Sequence, residues 1–132
     1  MPVREEILNW IEEAKADLRH AKSSIEIGDF NWACFASQQA AEKALKALIL
    51  HMVGEYPRGH DLVRLYWMIE KHVKLSISKV DLMRLSAYYT QARYPNAGVE
   101  RPSIEILEEH AKEAVEIAER VINEVEKAIK DP

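Results

Sequence analysis

Apolar side chains recur in steps of three and four near the start of the chain, at Ile7, Ile11, Ala14, Leu18, Ala21 and Ile25. On a helix of 3.6 residues per turn this spacing draws one stripe. It predicts a helix over residues 4–27, with Glu12, Glu13, Lys15, Asp17 and Arg19 in water and Trp10 flanking the stripe. Gly28 and Asp29 stop it, because glycine accepts the left-handed backbone common just past a helix end. Asp29 or Asn31 then caps the next helix, and so short a break predicts an antiparallel hairpin. The second helix, residues 31–52, is the one around which the others are arranged. Ala33, Ala36, Ala40, Ala44 and Ala47 form a thin row that lets a neighbouring backbone approach, flanked by Trp32, Phe35, Leu45, Leu48 and Ile49. Gln38, Gln39, Glu42, Lys43 and Lys46 interrupt the row. Since an unpaired buried polar group is costly, some of them must face water or find partners; the plain reading is the central helix of a bundle, and the sharper one is that Gln38, Gln39, Glu42 and Lys43 line a polar groove.

The pattern changes character after Gly54. Residues 55–60 (EYPRGH) read as a loop broken by Pro57 and Gly59. Asp61 caps a short third helix over residues 61–72, with Leu62, Leu65, Tyr66 and Ile69 on its apolar side. Ser76 or Ser78 caps a fourth helix running through Leu82, Leu85, Tyr88 and Tyr89 to Ala92. Residues 93–102 (RYPNAGVERP) form a loop. A last helix from Ser103 carries a second seam, Ile104, Leu107, Ala111, Ala114, Ala118, Val121, Val125 and Ala128. The expected fold is all-α: an antiparallel up-and-down bundle of four main helices with one short extra helix, a single domain over residues 1–132.

Composition narrows the function classes. A net charge of −4 is no electrostatic magnet for nucleic acid, though a local basic patch is compatible with it. One cysteine, Cys34, allows no intramolecular disulfide and sits in an apolar stretch, which predicts a buried, inert thiol. No run approaches the roughly 18 apolar residues of a membrane helix, and no secretory leader opens the chain, so the expectation is a cytoplasmic protein. His20, His51, His72 and His110 share no ligand spacing, so neither a metal nor another cofactor is expected.

Four stretches together carry a family likeness: residues 29–36 (DFNWACFA), 38–47 (QQAAEKALKA), 59–62 (GHDL) and 88–95 (YYTQARYP). In this order and spacing they resemble the HEPN domain, a small helical family of prokaryotes and some larger eukaryotic proteins. The resemblance spans residues 5–128 and implies a helical bundle that forms a homodimer. It further implies a toxin–antitoxin pair with a minimal nucleotidyltransferase partner, and a nucleotide or RNA as ligand. In the family's ribonuclease branch an arginine is followed after about four to six residues by a histidine. The two suit proton transfer at a 2′-hydroxyl and stabilisation of the developing phosphorane charge. Here the arginine is Arg93, and the residues at the histidine's spacing are Gly98, Val99 and Glu100. The ribonuclease motif is thus incomplete and the balance leans away from an enzyme.

Three readings follow. In the first, a non-catalytic or weakly active HEPN dimer binds a nucleotide or partner protein. Arg93 clamps a phosphate, Tyr94 is stiffened by Pro95 to cover the base, and Asn96, Tyr89, His60 and Lys43 lie around them. In the second, the protein is a metal-independent ribonuclease toxin with Arg93 and a non-standard base such as His60. In the third it is a structural dimer without ligand. Trp10, Trp67 and Tyr66 are the aromatic side chains expected on its surface.

Overall fold

The computed structural model describes residues 2–130, with side chains from Arg4 onward. Met1, Asp131 and Pro132, at the ends of the predicted domain, lie outside the described residues. Six helices follow one another: α1 (Pro2–Glu26), α2 (Phe30–Val53), α3 (Leu62–Trp67), α4 (Lys79–Gln91), α5 (Pro102–Glu105) and α6 (Glu108–Lys130). Ion pairs fix the relative directions of the long ones. Lys43 on α2 meets Asp17 on α1 at 2.8 Å, and Lys15 and Lys22 on α1 meet Glu126 and Glu119 on α6 at 2.7 and 2.8 Å. Arg120 on α6 meets Asp81 on α4 at 3.1 Å. Lys46 on α2 also lies over the Trp10 ring on α1, and Arg84 on α4 meets Glu113 on α6 at 3.6 Å, so residue numbers rise on one partner as they fall on the other and each pair is antiparallel. The result is the expected all-α up-and-down bundle of α1, α2, α4 and α6.

Helix α2 lies at the centre because its small row is buried on contact with its neighbours. Ala33, Ala36, Ala40, Ala44 and Ala47 are all buried, and Leu45, Leu48 and Ile49 fill the space beside them. The seam of α1 is buried at Ile7, Ile11, Ala14, Leu18 and Ala21, and that of α6 from Ala111 to Val125. Helix α2 ends at Gly54, whose φ of 90° lets its N–H reach Leu50 O. Its start departs from expectation. Asp29 occupies the capping position without a side-chain hydrogen bond. Asn31 instead donates from Nδ2 to Ala92 O at 3.0 Å, tying the start of α2 to the end of α4. Asp61 caps α3 by accepting from the Val63 and Arg64 N–H groups, and Ser78, not Ser76, caps α4 by accepting from Asp81 N–H. Ser78→Ala should therefore cost about 1 kcal/mol, read as a lower urea midpoint at unchanged slope.

Two predicted details are corrected. The last helix does not run unbroken from Ser103. Ile106 adopts an extended backbone (φ −85°, ψ 118°), and α6 starts only after Leu107, whose N–H is accepted by His110 Nδ1 at 2.9 Å. The break buries Ile106 and shifts the register, leaving Ile104 and Leu107 exposed although their spacing placed them in the seam. Tyr66 is buried, as its place on the apolar side of the third helix predicts and against the surface position also expected of it, and its hydroxyl accepts the Leu75 N–H at 3.0 Å, anchoring the turns that follow α3. Trp67 is exposed as expected, while Trp10 is half-buried with its ring edge-on to Tyr56.

Candidate functional site

A helical period of 3.6 brings Gln38, Glu42 and Lys46 onto one face of α2 in successive turns, and all three are buried. Burial obliges each polar atom to find a partner. Lys46 Nζ donates to Glu42 Oε2 at 3.1 Å, and Gln38 Nε2 donates to Glu42 Oε1 at 3.3 Å and to His60 O at 3.0 Å. Gln39 Nε2 donates to Gln38 Oε1 at 2.7 Å. Glu42 Oε1 also receives His60 Nδ1 at 2.9 Å. Gln38, Gln39, Glu42 and Lys46 thus form a closed network that holds the 55–61 loop against the bundle, where an open polar groove was the sharper expectation. Lys43 is not in it. One residue past Glu42 it points about 100° away, toward α1, where it pairs with Asp17.

His60 remains 45% exposed at its side chain despite this tether. With Nδ1 engaged by a carboxylate, Nε2 is the nitrogen left for a ligand. The imidazole lies flat on Tyr89, ring centroids 3.9 Å apart and planes 14° from parallel. Shallow depressions of about 380 and 300 Å³ flank it: one toward Ser86, Ala87 and Thr90 on α4, the other toward Arg58 and Arg64.

Tyr89 also holds Arg93. The last carbonyls of a helix lack intrahelical partners, and Arg93 Nε donates to Tyr89 O at 2.7 Å. The guanidinium carbon lies 4.4 Å from the Phe35 ring, 4.5 Å from Tyr89 and 4.9 Å from Tyr94, a three-sided aromatic surround that favours a cation. Among the described residues no carboxylate lies within 4.0 Å of Arg93. A half-buried arginine in this state has its charge held but not neutralised. Tyr94 is exposed beside it, as are Pro95 and Asn96. Asn96 takes a positive φ of 61° and donates its N–H to Glu100 O at 3.2 Å, closing the loop. Asparagine is among the few residues that accept this backbone.

The structure thus brings together Arg93, Tyr94, Tyr89 and His60, with Pro95 and Asn96 in the adjoining loop, and leaves Lys43 on another face. Phe35 and the tethering role of Glu42 were missed from sequence. The signal for Glu42 was the four-residue step Gln38–Glu42–Lys46; nothing local announced Phe35. Of the positions where the family's histidine falls, Gly98 has a φ of 111°, and a Cβ there would stand 2.6 Å from the Gln91 side chain.

Cys34 is fully buried, and desolvation pushes its thiol up to about 12, against a smaller opposing effect of a hydrogen bond with Tyr88. Such a thiol is neutral at physiological pH and no nucleophile. Among the described residues no helix is long and apolar enough to cross a membrane, and no three His, Cys, Asp or Glu side chains cluster to hold a metal ion.

Comparison with known proteins agrees with the fold. A model of the HEPN domain matches residues 7–128. The crystal structure of TT1696 from Thermus thermophilus is 34% identical over 92% of this chain and 97% of its own, with a TM-score of 0.80. ST0689, an archaeal HEPN homologue, is 32% identical over 94% of this chain and 98% of its own, with a TM-score of 0.75. An HEPN domain protein of Thermotoga maritima is 29% identical over 94% and 99%, with a TM-score of 0.71. No curated protein matches the sequence.

Proposed function

The chain belongs to the HEPN domain family, and from that premise we propose that it is a binding component that takes a phosphate-bearing nucleotide at Arg93. The observation that carries this reading is the state of Arg93. Its Nε is fixed on Tyr89 O and its face is packed by three rings, yet among the described residues no carboxylate lies within 4.0 Å of it. A guanidinium so held loses little freedom on accepting a phosphate, and its fork matches two phosphate oxygens. Tyr94, 52% exposed next to it, supplies a face for a base. Lys43 takes no part, being paired with Asp17. The family resemblance adds a homodimer and a minimal nucleotidyltransferase partner in a two-component system of the toxin–antitoxin type; both belong to the proposal.

Millimolar AMP or ATP is expected to raise the melting temperature by about 3 °C or more, through preferential binding to the folded state. Arg93→Ala should weaken binding by about 10- to 100-fold, the worth of a charge-assisted hydrogen bond. An unchanged melting temperature at saturating nucleotide would remove the nucleotide from the proposal.

One observation favours a second reading, ribonuclease action without metal. His60 Nδ1 is held by Glu42 at 2.9 Å, and His60 and Arg93 contact the same Tyr89 ring. A carboxylate on Nδ1 fixes the orientation and tautomer of the imidazole and leaves Nε2 to take a proton, the arrangement a general base needs. RNA cleavage in EDTA that falls by about 100-fold or more in both His60→Ala and Arg93→Ala would establish it. Cleavage indifferent to either substitution would exclude it.

A further inference from the structure

The end of the bundle away from Arg93 carries an apolar cluster of its own. Ile7, Ile11, Ala47 and Leu50 pack together there, with Trp10 and Ile129 against them. Phe35, which touches Arg93, and His51, which stands at this end, are separated on α2 by about 24 Å at a helical rise of about 1.5 Å per residue. The pairing of Lys15 with Glu126 and of Lys22 with Glu119 sets α6 against α1 so that Lys130 stands level with Ile11. Beyond that level, on the first turns of α1, Leu8 is 47% exposed. A cavity of about 320 Å³ opens beside it, walled by Ile7, Leu8, Ile11 and Ile129. Arg4 precedes Leu8 by one turn and so shares its face, and it lines the same cavity together with Lys130 and His51. Among the described residues no carboxylate lies within 4.0 Å of Arg4 or Lys130. Glu12 and Glu126 also reach the cavity, and both act on Lys15. The Lys15 ammonium is held above its ordinary range first by the Glu126 hydrogen bond, against desolvation, and further by the charges of Glu126 and Glu12.

We infer that this cavity is a binding site for a small amphipathic carboxylate, its apolar tail on the Ile7, Leu8, Ile11 and Ile129 wall and its carboxylate held by Arg4 and Lys130. An apolar wall with a few charged groups converging on it is the usual make-up of a small-molecule site, and the volume lies at the small end of the range of about 300 to 1,000 Å³. At roughly 30 Å³ for a group the size of water, the space holds about ten non-hydrogen atoms. Covering Leu8 and the tail takes apolar surface out of water, which supplies the driving force. The charged groups set the head. A single negative charge is drawn to Arg4 and Lys130, whereas a second one, such as a phosphate monoester carries, meets Glu12 and Glu126. The site is separate from the Arg93 loop and does not depend on how that loop is read.

The test uses octanoate, with octylammonium and octanol as probes of similar tail length, on protein labelled at its isoleucine and leucine methyl groups and followed by NMR. Octanoate should shift the Ile7, Leu8, Ile11 and Ile129 signals saturably, with a Kd of about 1 mM or tighter, as a ligand of about ten heavy atoms allows. Octylammonium and octanol, which lack the charge-assisted contact, should bind about tenfold or more weakly. Arg4→Gln combined with Lys130→Gln should weaken octanoate by about 10- to 100-fold, the loss of a charge-assisted hydrogen bond. Leu8→Gln should weaken it by about fivefold or more through lost apolar contact. All three side chains are exposed, so the variants should fold, and their unbound methyl spectra check this. Methyl signals unmoved at about 10 mM octanoate, or octylammonium or octanol bound as tightly as octanoate, would overturn the inference. So would shifts confined to the ring signals of Phe35 and Tyr89, which would put the acid on Arg93 instead. Octanoate bound here by a protein that takes no nucleotide would uphold this site and remove the Arg93 reading alone.

Discussion

Glu42→Ala is expected to destabilise the protein by about 3 to 5 kcal/mol, the usual consequence of removing one member of a buried ion pair. The carboxylate receives Lys46 Nζ, Gln38 Nε2 and His60 Nδ1 within 3.3 Å, and both Glu42 and Lys46 are more than nine-tenths buried. Without it, an ammonium stays in the interior with the Trp10 ring, 5.9 Å away, as its nearest compensation. Replacing both ends of the pair by leucine should recover most of the loss, since apolar residues of similar volume are tolerated where a half-pair is not. Urea midpoints of the three proteins check this. A single variant within about 1 kcal/mol of the wild type would mean that water reaches the network and that it does not hold the loop. The same substitution should free His60 from its position on Tyr89, so the folded fraction of the Glu42→Ala protein should show weaker ligand binding.

Gly98→His, which would place a histidine after Arg93 at the spacing of the family's ribonuclease branch, should cost about 1 to 3 kcal/mol through backbone strain and create no ribonuclease. Gly98 holds a φ of 111°, which side-chain-bearing residues rarely adopt, and the new Cβ would enter the space of the Gln91 side chain at 2.6 Å. The Gln91 amide end can swing aside; the backbone strain cannot be relieved without opening the loop that carries Arg93. Glu100→His is the matched control. Residue 100 is exposed and holds Asn96 N–H through its carbonyl, which any side chain preserves, so its stability should change by less than about 0.5 kcal/mol. Cleavage gained by the first variant at wild-type stability would show that the loop is less constrained than its geometry implies.

The seams of α1 and the body of α6 were legible in sequence because burial on one face of a long helix repeats its signal over many turns. Gly28 and Gly54 were legible as helix ends because their conformations are local requirements. The same logic failed at Ile104 and Leu107. A periodic pattern does not show where a helix is interrupted, and the extended Ile106 with the His110 cap is set by how the 93–107 segment returns to the bundle. Tyr66 was legible on the apolar side of α3, but its hydroxyl partner, the Leu75 N–H, lies nine residues on, outside any helical period.

For the site, the sequence by itself determined the polar step on α2, the Arg-Tyr-Pro loop and the lack of a histidine after it, all properties of residue identity and short spacing. Only the tertiary structure decided which of these residues meet. Lys43 went to α1 and Glu42 to His60, because about 100° of helical rotation separates neighbours that the sequence writes side by side. Phe35 meets Tyr89 and Arg93 where the first turns of α2 pack on the end of α4, a contact that the Asn31 hydrogen bond to Ala92 O also joins. Contacts between groups far apart in the chain depend on helix directions and packing distances, and those are set by the whole core, with no record in the local pattern.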